Sequence, residues 1–191
     1  MAAKKVRKSI TEKEYKLLIG FVKEDDELKE FNRIKFLRIF TLLYFTGVRI
    51  NEISQIRVRH IKQILSSGET IIVSHKTNRE RVLYFSGKGT KEITKYFDTT
   101  ADAEDFVICS WGNPKNQLHS ISLISLVNKY MSKVLGSGFT SHSFRQGLLT
   151  EMGSKSINPK IIQKFVGHSD VKTTLRYITP TEDDVKMSLI R

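Results

Sequence analysis

The chain has 191 residues, enough for one well-filled core, and its 39% hydrophobic and 27% charged content is ordinary for a globular protein. Lys and Arg number 32 against 20 Asp and Glu, a formal charge of +12, which points to a polyanionic partner, nucleic acid ahead of an anionic membrane surface. No apolar run approaches the ~20 residues that span a bilayer, the basic N-terminus (Lys4, Lys5, Arg7, Lys8) lacks the apolar block of a secretory signal, and the single cysteine, Cys109, excludes an internal disulfide and a Cys-cluster zinc site. A cytoplasmic protein is the expectation, with Cys109 a small core residue.

Thr11 and Glu14 form a capping-box signature ahead of Tyr15, Leu18, Ile19 and Val22 at helical spacing, so a first helix is predicted there. A second runs from about Phe31 through Ile34, Leu37, Phe40, Leu43 and Tyr44 to Gly47, which tolerates the left-handed backbone of a helix stop. Ile50, Ile53 and Ile56 suggest a short third helix with Arg49 and Glu52 one turn apart on another face. From Ile61 to Phe85 the β-branched runs Ile71-Ile72-Val73 and Val82-Leu83-Tyr84-Phe85 predict a small antiparallel sheet. Its turns are Ser66-Ser67-Gly68 and the positively charged tip His75 to Arg79. Helices are expected again near 90–98 and 120–134, with a loop around Trp111 to Pro114 and a solvated acidic loop at Asp102, Glu104 and Asp105. Another helix begins near Ser141. Asn158 as cap, Pro159 at the first position and Gly167 at the end mark a further one with Ile161, Ile162, Phe165 and Val166 on its apolar face. Ser169 or Asp170 then caps a last helix whose buried stripe is Val171, Leu175 and Ile178, leaving Tyr177 to the side of it. The fold class is mainly α with a small antiparallel β-sheet.

Several side chains carry chemistry worth weighing against plainer roles. His142 and Arg145 lie one turn apart, an arrangement also common on solvated surfaces. His168 follows a helix end and could simply complement its dipole. Arg49 could do no more than pair with Glu52, Lys76 is a turn lysine, and an isolated tyrosine such as Tyr177 is usually packing. Taken in order, however, they resemble the catalytic domain of the tyrosine recombinase (phage integrase) family, Xer-type members in particular, over nearly the whole chain. Thr46-Gly47-Val48-Arg49-Ile50-Asn51-Glu52-Ile53 is similar to the first arginine box, and His75 to Arg81 to the family's Gly-Lys-Gly-Asn-Lys-Glu-Arg hairpin, with Lys76 as the turn lysine. His142 to Arg145 resembles the His-x-x-Arg motif, and Val166 to Tyr177 the box that ends in the nucleophile. Gln146 stands where a histidine commonly follows the second arginine, and the glycines flanking the hairpin lysine are missing.

The resemblance implies a mainly helical catalytic-domain fold and site-specific DNA strand cleavage and rejoining through a 3′-phosphotyrosyl bond, with no metal and no cofactor. It gives Tyr177 as nucleophile, Arg49, Arg145 and His168 as donors to the phosphate, His142 as base or hydrogen-bonding partner, Lys76 as acid for the departing 5′-oxygen, and Glu52 in support. Guanidinium suits the task because its planar fork matches phosphate and stays charged. Lys4, Lys5, Arg79 and Arg81 are expected DNA contacts, with steep salt dependence. Double-stranded DNA, a homotetramer on paired sites, a Holliday-junction intermediate and accessory proteins are the implied partners. The domain reading is 1–10 basic linker, 11–179 catalytic domain and 180–191 tail, docked on a neighbouring subunit or on its own domain. The helical core-binding domain that precedes this one in full-length relatives is expected to be absent. A type IB topoisomerase would share the chemistry, and a basic module that only occupies DNA would share the charge.

Overall fold

The computed structural model describes residues 8–74, 78, 80–110, 112–168 and 170–177. Lys4, Lys5, His75, Lys76, Arg79, Trp111, Ser169, Ile178 and the tail 180–191 lie outside the described residues, so the readings placed on them stay as stated. At its centre is α2 (Glu30–Thr46), whose buried residues fall on almost every side, from Phe36 and Leu37 through Ile39, Phe40, Leu42 and Leu43. Of the stripe read from sequence, Leu37, Phe40 and Leu43 are buried, Ile34 and Tyr44 partly so, and Phe31 is exposed; the middle of the helix is enclosed, which is why apolar residues continue between its turns. Against it pack α1 (Glu12–Glu24), α5 (Gly87–Thr94) and α7 (Ser141–Ser154), while α6 (Ser120–Leu135) stacks Tyr130 on Phe36. α1 opens with the expected capping box: Lys13 N–H donates to Thr11 Oγ1 at 3.2 Å and Thr11 N–H to Glu14 Oε2 at 2.9 Å.

Three short elements follow α2. α3 (Ile50–Ile53) is a single turn, with Arg49 as its N-cap rather than within it. α4 (Val58–Ser67) occupies the start of the stretch expected to be β-like. Its Val58, Ile61 and Ile64 are buried three residues apart, so tertiary burial of one helical stripe outweighed their β-branched preference. His60 helps start it, its Nδ1 accepting Arg57 N–H at 2.9 Å, and burial together with the Arg59 and Arg57 charges pushes its pKa down to about 4. After the Gly68 cap, β1 (Glu69–Val73) and β2 (Glu80–Tyr84) pair antiparallel in the predicted place, Ile72 opposite Arg81.

The helix expected near 90–98 sits earlier, because Ser86 caps it by accepting Gly89 N–H at 3.2 Å. The loop before α6 contains a second antiparallel pair, β3 (Cys109–Ser110) and β4 (Asn113–Gln117), which the polar sequence of β4 gave no reason to expect. Cys109 is buried. The acidic loop is tied down by cations: Lys115 reaches Asp102 at 2.8 Å and Asp105 at 2.7 Å, and Arg57 and Arg59 meet Glu104. Near the C-terminus, α8 (Pro159–Val166) has the expected Asn158 cap and Gly167 stop, with Gly167 at φ 64°. Ile162 and Val166 are buried, but Ile161 is 60% exposed and does not belong to the inner face. α9 (Val171–Leu175) is capped by Asp170. Its buried residue is Thr174, while Leu175 is 47% exposed, so the predicted stripe is corrected: in so short a helix, docking on α8 and not periodicity decides which side faces in. No helix among the described residues is long and apolar enough to cross a membrane.

Candidate active site

Arg49 is delivered by a tight stop at the end of α2. Thr46 Oγ1 donates to Leu42 O at 2.6 Å and accepts Val48 N–H at 3.1 Å, while Gly47 takes φ 58°. A Cβ on Gly47 would stand 2.9 Å from Leu148 Cδ2, so both backbone and space ask for glycine there. Beyond the turn, Glu52 is fully buried and binds Arg49 twice, taking its Nη1 at 3.1 Å on Oε1 and its backbone N–H at 3.0 Å on Oε2. Burial disfavours the Glu52 carboxylate, but hydrogen bonding and charge from Arg81, with Arg49 behind it, prevail and hold its pKa below the usual range.

His142 and Arg145 come from the first turns of α7. Thr140 N–H donates to Ser143 Oγ at 3.0 Å, and Ser141 N–H reaches Asn128 Oδ1 on α6 at 2.8 Å. Gly147 lets this helix touch the incoming chain, since a Cβ there would stand 1.9 Å from Ile10 O. Arg145 is 2% exposed and bridges two helix ends, its Nη1 donating to Gly47 O at 2.8 Å and its Nη2 to Val166 O at 2.5 Å. Burial first, then the Arg49 and Arg81 charges, lower its pKa to about 9, which leaves it a cation at neutral pH. Arg49, His142 and Arg145 line one cleft of about 160 Å³ between the Val48–Asn51 turn and the start of α7.

His168 stands just past the α8 stop, its backbone tied to Gln163 in both directions: His168 N–H donates to Gln163 O at 3.1 Å, and Gln163 Nε2 donates to His168 O at 3.1 Å. Its Nδ1 lies 2.9 Å from the Thr174 hydroxyl. Burial, then the charges of Arg145 and Arg49, push its pKa down to about 4. It is therefore neutral at pH 7 and does not serve the helix dipole as a cation. A Thr174 hydroxyl that donates to Nδ1 selects the tautomer with the proton on Nε2, and the opposite tautomer donates from Nδ1 to that hydroxyl. Tyr177 is half-buried, its ring resting on the small cluster of Leu149, Ile162 and Val166 and its hydroxyl 3.5 Å from His142 Nε2.

Arg49, Glu52, His142, Arg145, His168 and Tyr177 are thus brought together. Lys76, Lys4, Lys5 and Arg79 lie outside the described residues. Arg81, expected beside those last three as a DNA contact, instead points inward: its side chain is 9% accessible and its Nη2 meets Glu52 Oε2 at 2.7 Å. Thr174 and Gln163, which orient His168, escaped the sequence reading. A hydroxyl three residues before the tyrosine was the available signal for Thr174; Gln163 offered none.

The chain matches the Phage integrase family over residues 8–183. Tyrosine recombinase XerA of Pyrococcus horikoshii is 27% identical over 187 residues, covering 97% of this chain and 61% of that protein, so the chain spans about three fifths of its relative's length. Among solved structures, XerA recombinase superposes with a TM-score of 0.71 at 18% identity, over 98% of this chain and 64% of that one. XerH recombinase, solved as a pre-cleavage complex on its difH substrate, gives 0.70 at 16% identity, over 98% and 55%. The shared architecture is that of the tyrosine recombinase catalytic domain, and with a family match running over nearly its whole length this chain belongs to the phage integrase family.

Proposed function

We propose that this chain is the catalytic domain of a site-specific DNA recombinase that cuts and reseals strands through a 3′-phosphotyrosyl intermediate. The observation that carries the reading is the Tyr177 hydroxyl 3.5 Å from His142 Nε2, beside a cleft lined by Arg49 and Arg145. A phenol is a weak nucleophile until it loses its proton, and His142 Nε2 is the atom placed to accept it. The Tyr177 oxygen then bonds to phosphorus, the bond to the 5′-oxygen breaks, and that oxygen takes up a proton, for which Lys76 is the candidate donor. Phosphodiester and phenolate together bring two negative charges to the transition state. The Glu52 carboxylate is matched by Arg81, which leaves the Arg49 and Arg145 guanidinium groups as two positive charges at the cleft. Protein cations of this number supply the charge that a metal would otherwise bring.

Energy kept in the tyrosyl ester lets another strand's 5′-hydroxyl reverse the step. The substrate is double-stranded DNA in the cytoplasm, held mostly by Lys and Arg on phosphates, and the XerH complex on difH supports DNA as the partner. Paired sites, a homotetramer, accessory proteins and a tail 180–191 docked on a neighbour extend the same reading. Incubation with nicked suicide substrates of candidate sites, followed by denaturing electrophoresis and mass spectrometry, tests it. The expected result is a covalent adduct on Tyr177, lost in Tyr177→Phe. Salt-sensitive binding without any adduct identifies a DNA-occupying module instead, and relaxation of supercoils without recombination a topoisomerase.

A further inference from the structure

Arg81 is built unlike a contact to DNA. It sits in β2 opposite Ile72, with its side chain turned inward to 9% accessibility, and it is not among the residues that line the Arg49–Arg145 cleft. Nη2 reaches Glu52 Oε2, the oxygen that also takes the Arg49 backbone N–H, while Glu52 Oε1 takes the Arg49 guanidinium. On its other flank its Cδ lies 2.8 Å from where a Cβ on Gly167 would stand, so its stem packs beneath the end of α8 from which His168 projects. Among the described residues Nε and Nη1 are buried without an acceptor. Such donors cost stability, and a phosphate contact on the outside of the hairpin would need no such burial.

We infer that Arg81 is a positioning residue: through Glu52 it holds the Arg49 guanidinium toward the cleft, and through Gly167 it sets the end of α8 that carries His168. This rests on the phosphotyrosyl chemistry proposed above. A residue acting through the carboxylate and the helix end changes the geometry of attack without changing how tightly duplex DNA is held, and a misplacement of about 1 Å is enough to cost roughly 10²-fold in rate.

The test compares Arg81→Met, Arg81→Lys, Glu52→Gln and the Glu52→Gln/Arg81→Met double variant, each first checked for a cooperative thermal transition. Adduct formation is followed in single turnover at saturating nicked DNA, and affinity for a random-sequence duplex is followed against salt. In Arg81→Met the adduct rate is expected to fall roughly 10²-fold with an unchanged salt slope. Arg81→Lys should recover part of the rate, and the double variant should be no slower than Arg81→Met, since the carboxylate that lost its partner is then gone. A salt slope smaller by about one, with an unaltered rate at saturation, makes Arg81 a DNA contact and overturns the inference. Losses from Glu52→Gln and Arg81→Met that multiply overturn it too, because Arg81 then acts on the phosphate by itself.

A readout independent of cleavage separates this from failure of the proposed reaction. Histidine ring signals followed by NMR in the free protein should show His168 titrating at higher pH in Arg81→Met, as a neighbouring cation is lost, with His60 unmoved. An unmoved His168 places Arg81 outside its surroundings and sinks the inference, whether or not the wild-type protein forms an adduct. Should Arg81→Met fail to fold, Arg81→Lys keeps the charge but loses the planar fork, and an adduct rate equal to that of the wild type sinks the inference.

Discussion

Around α2 the protein buries Leu18, Ile39, Phe40, Leu42, Leu43 and Phe144 in one continuous cluster that also takes in β1, β2, α5 and α6. The α8–α9 corner instead rests on Leu149, Ile162 and Val166 as the buried members of its cluster, with Met152, Ile157, Phe165 and Tyr177 only partly tucked against them. Arg49, Glu52 and Arg81 stand on or beside elements of the large core, and Tyr177 belongs to the small one. The difference suits the proposed chemistry. Charges that stabilise a transition state work best when fixed in advance, whereas a nucleophile that becomes an ester to a long polymer has to shift with it, and a thinly packed corner yields at less cost than a deep core.

The largest expected effect comes from the residue that touches both regions. Arg145→Ala removes the proposed phosphate donor and leaves Gly47 O and Val166 O without their partner. Single-turnover adduct formation should drop by about 10²–10³-fold, and thermal unfolding should show a loss of about 1–3 kcal/mol per orphaned carbonyl. A full rate with lowered stability would confine Arg145 to architecture. Next in size, Phe40→Ala should cost about 3–5 kcal/mol and Ile162→Ala about 2–5 kcal/mol, but with different reach. Hydrogen exchange should speed throughout the chain for Phe40→Ala and mainly in α8 and α9 for Ile162→Ala. Equal acceleration of α2 amides by Ile162→Ala would mean that the two regions open as one unit, and the contrast would be lost.

Thr174→Val removes the hydroxyl that holds His168 Nδ1 and should cost about 0.5–1.5 kcal/mol, with a several-fold slower adduct step and unchanged DNA affinity. An unaltered step would show that His168 needs no such anchor. The smallest effect is on acid stability. His60 in the body and His168 in the corner both have pKa values pushed down to about 4, against about 6.5 in an unfolded chain. Between those values the unfolded state binds more protons, so stability falls as pH drops from about 6.5 toward 4. Urea midpoints at pH 7 and pH 5 should differ in that direction, and replacing either histidine by asparagine should flatten part of the slope.

Local chemistry was legible wherever a few neighbouring residues decide the outcome. Thr11 with Glu14, Gly47, and Asn158-Pro159 with Gly167 each mark a helix end through a cap or a backbone preference, and each stands where it was read. α4 was not legible because Ile61 and Ile64 satisfy a strand propensity as well as a helical stripe, and only the surrounding core chooses. β3 and β4 pair polar residues whose partner is set by folding of the rest. At the site, the order of Arg49, His142, Arg145, His168 and Tyr177 announced which side chains would meet. It said nothing of Gln163 and Thr174 beneath His168, or of Arg81 turning from the hairpin into the interior, because those depend on distances across the fold.

Arg145 draws the carbonyls closing α2 and α8 onto one guanidinium, and so stitches the domain's two clusters at the edge of the cleft proposed to hold phosphate. A descendant without the proposed DNA breakage would still need this stitch to keep its shape, while nothing in the described architecture demands a phenol at position 177. Decay of such a lineage should therefore shed Tyr177 early and Arg145 last. When a silent homologue is sought, an arginine at this seam testifies to an intact scaffold, and only the tyrosine speaks for a living enzyme.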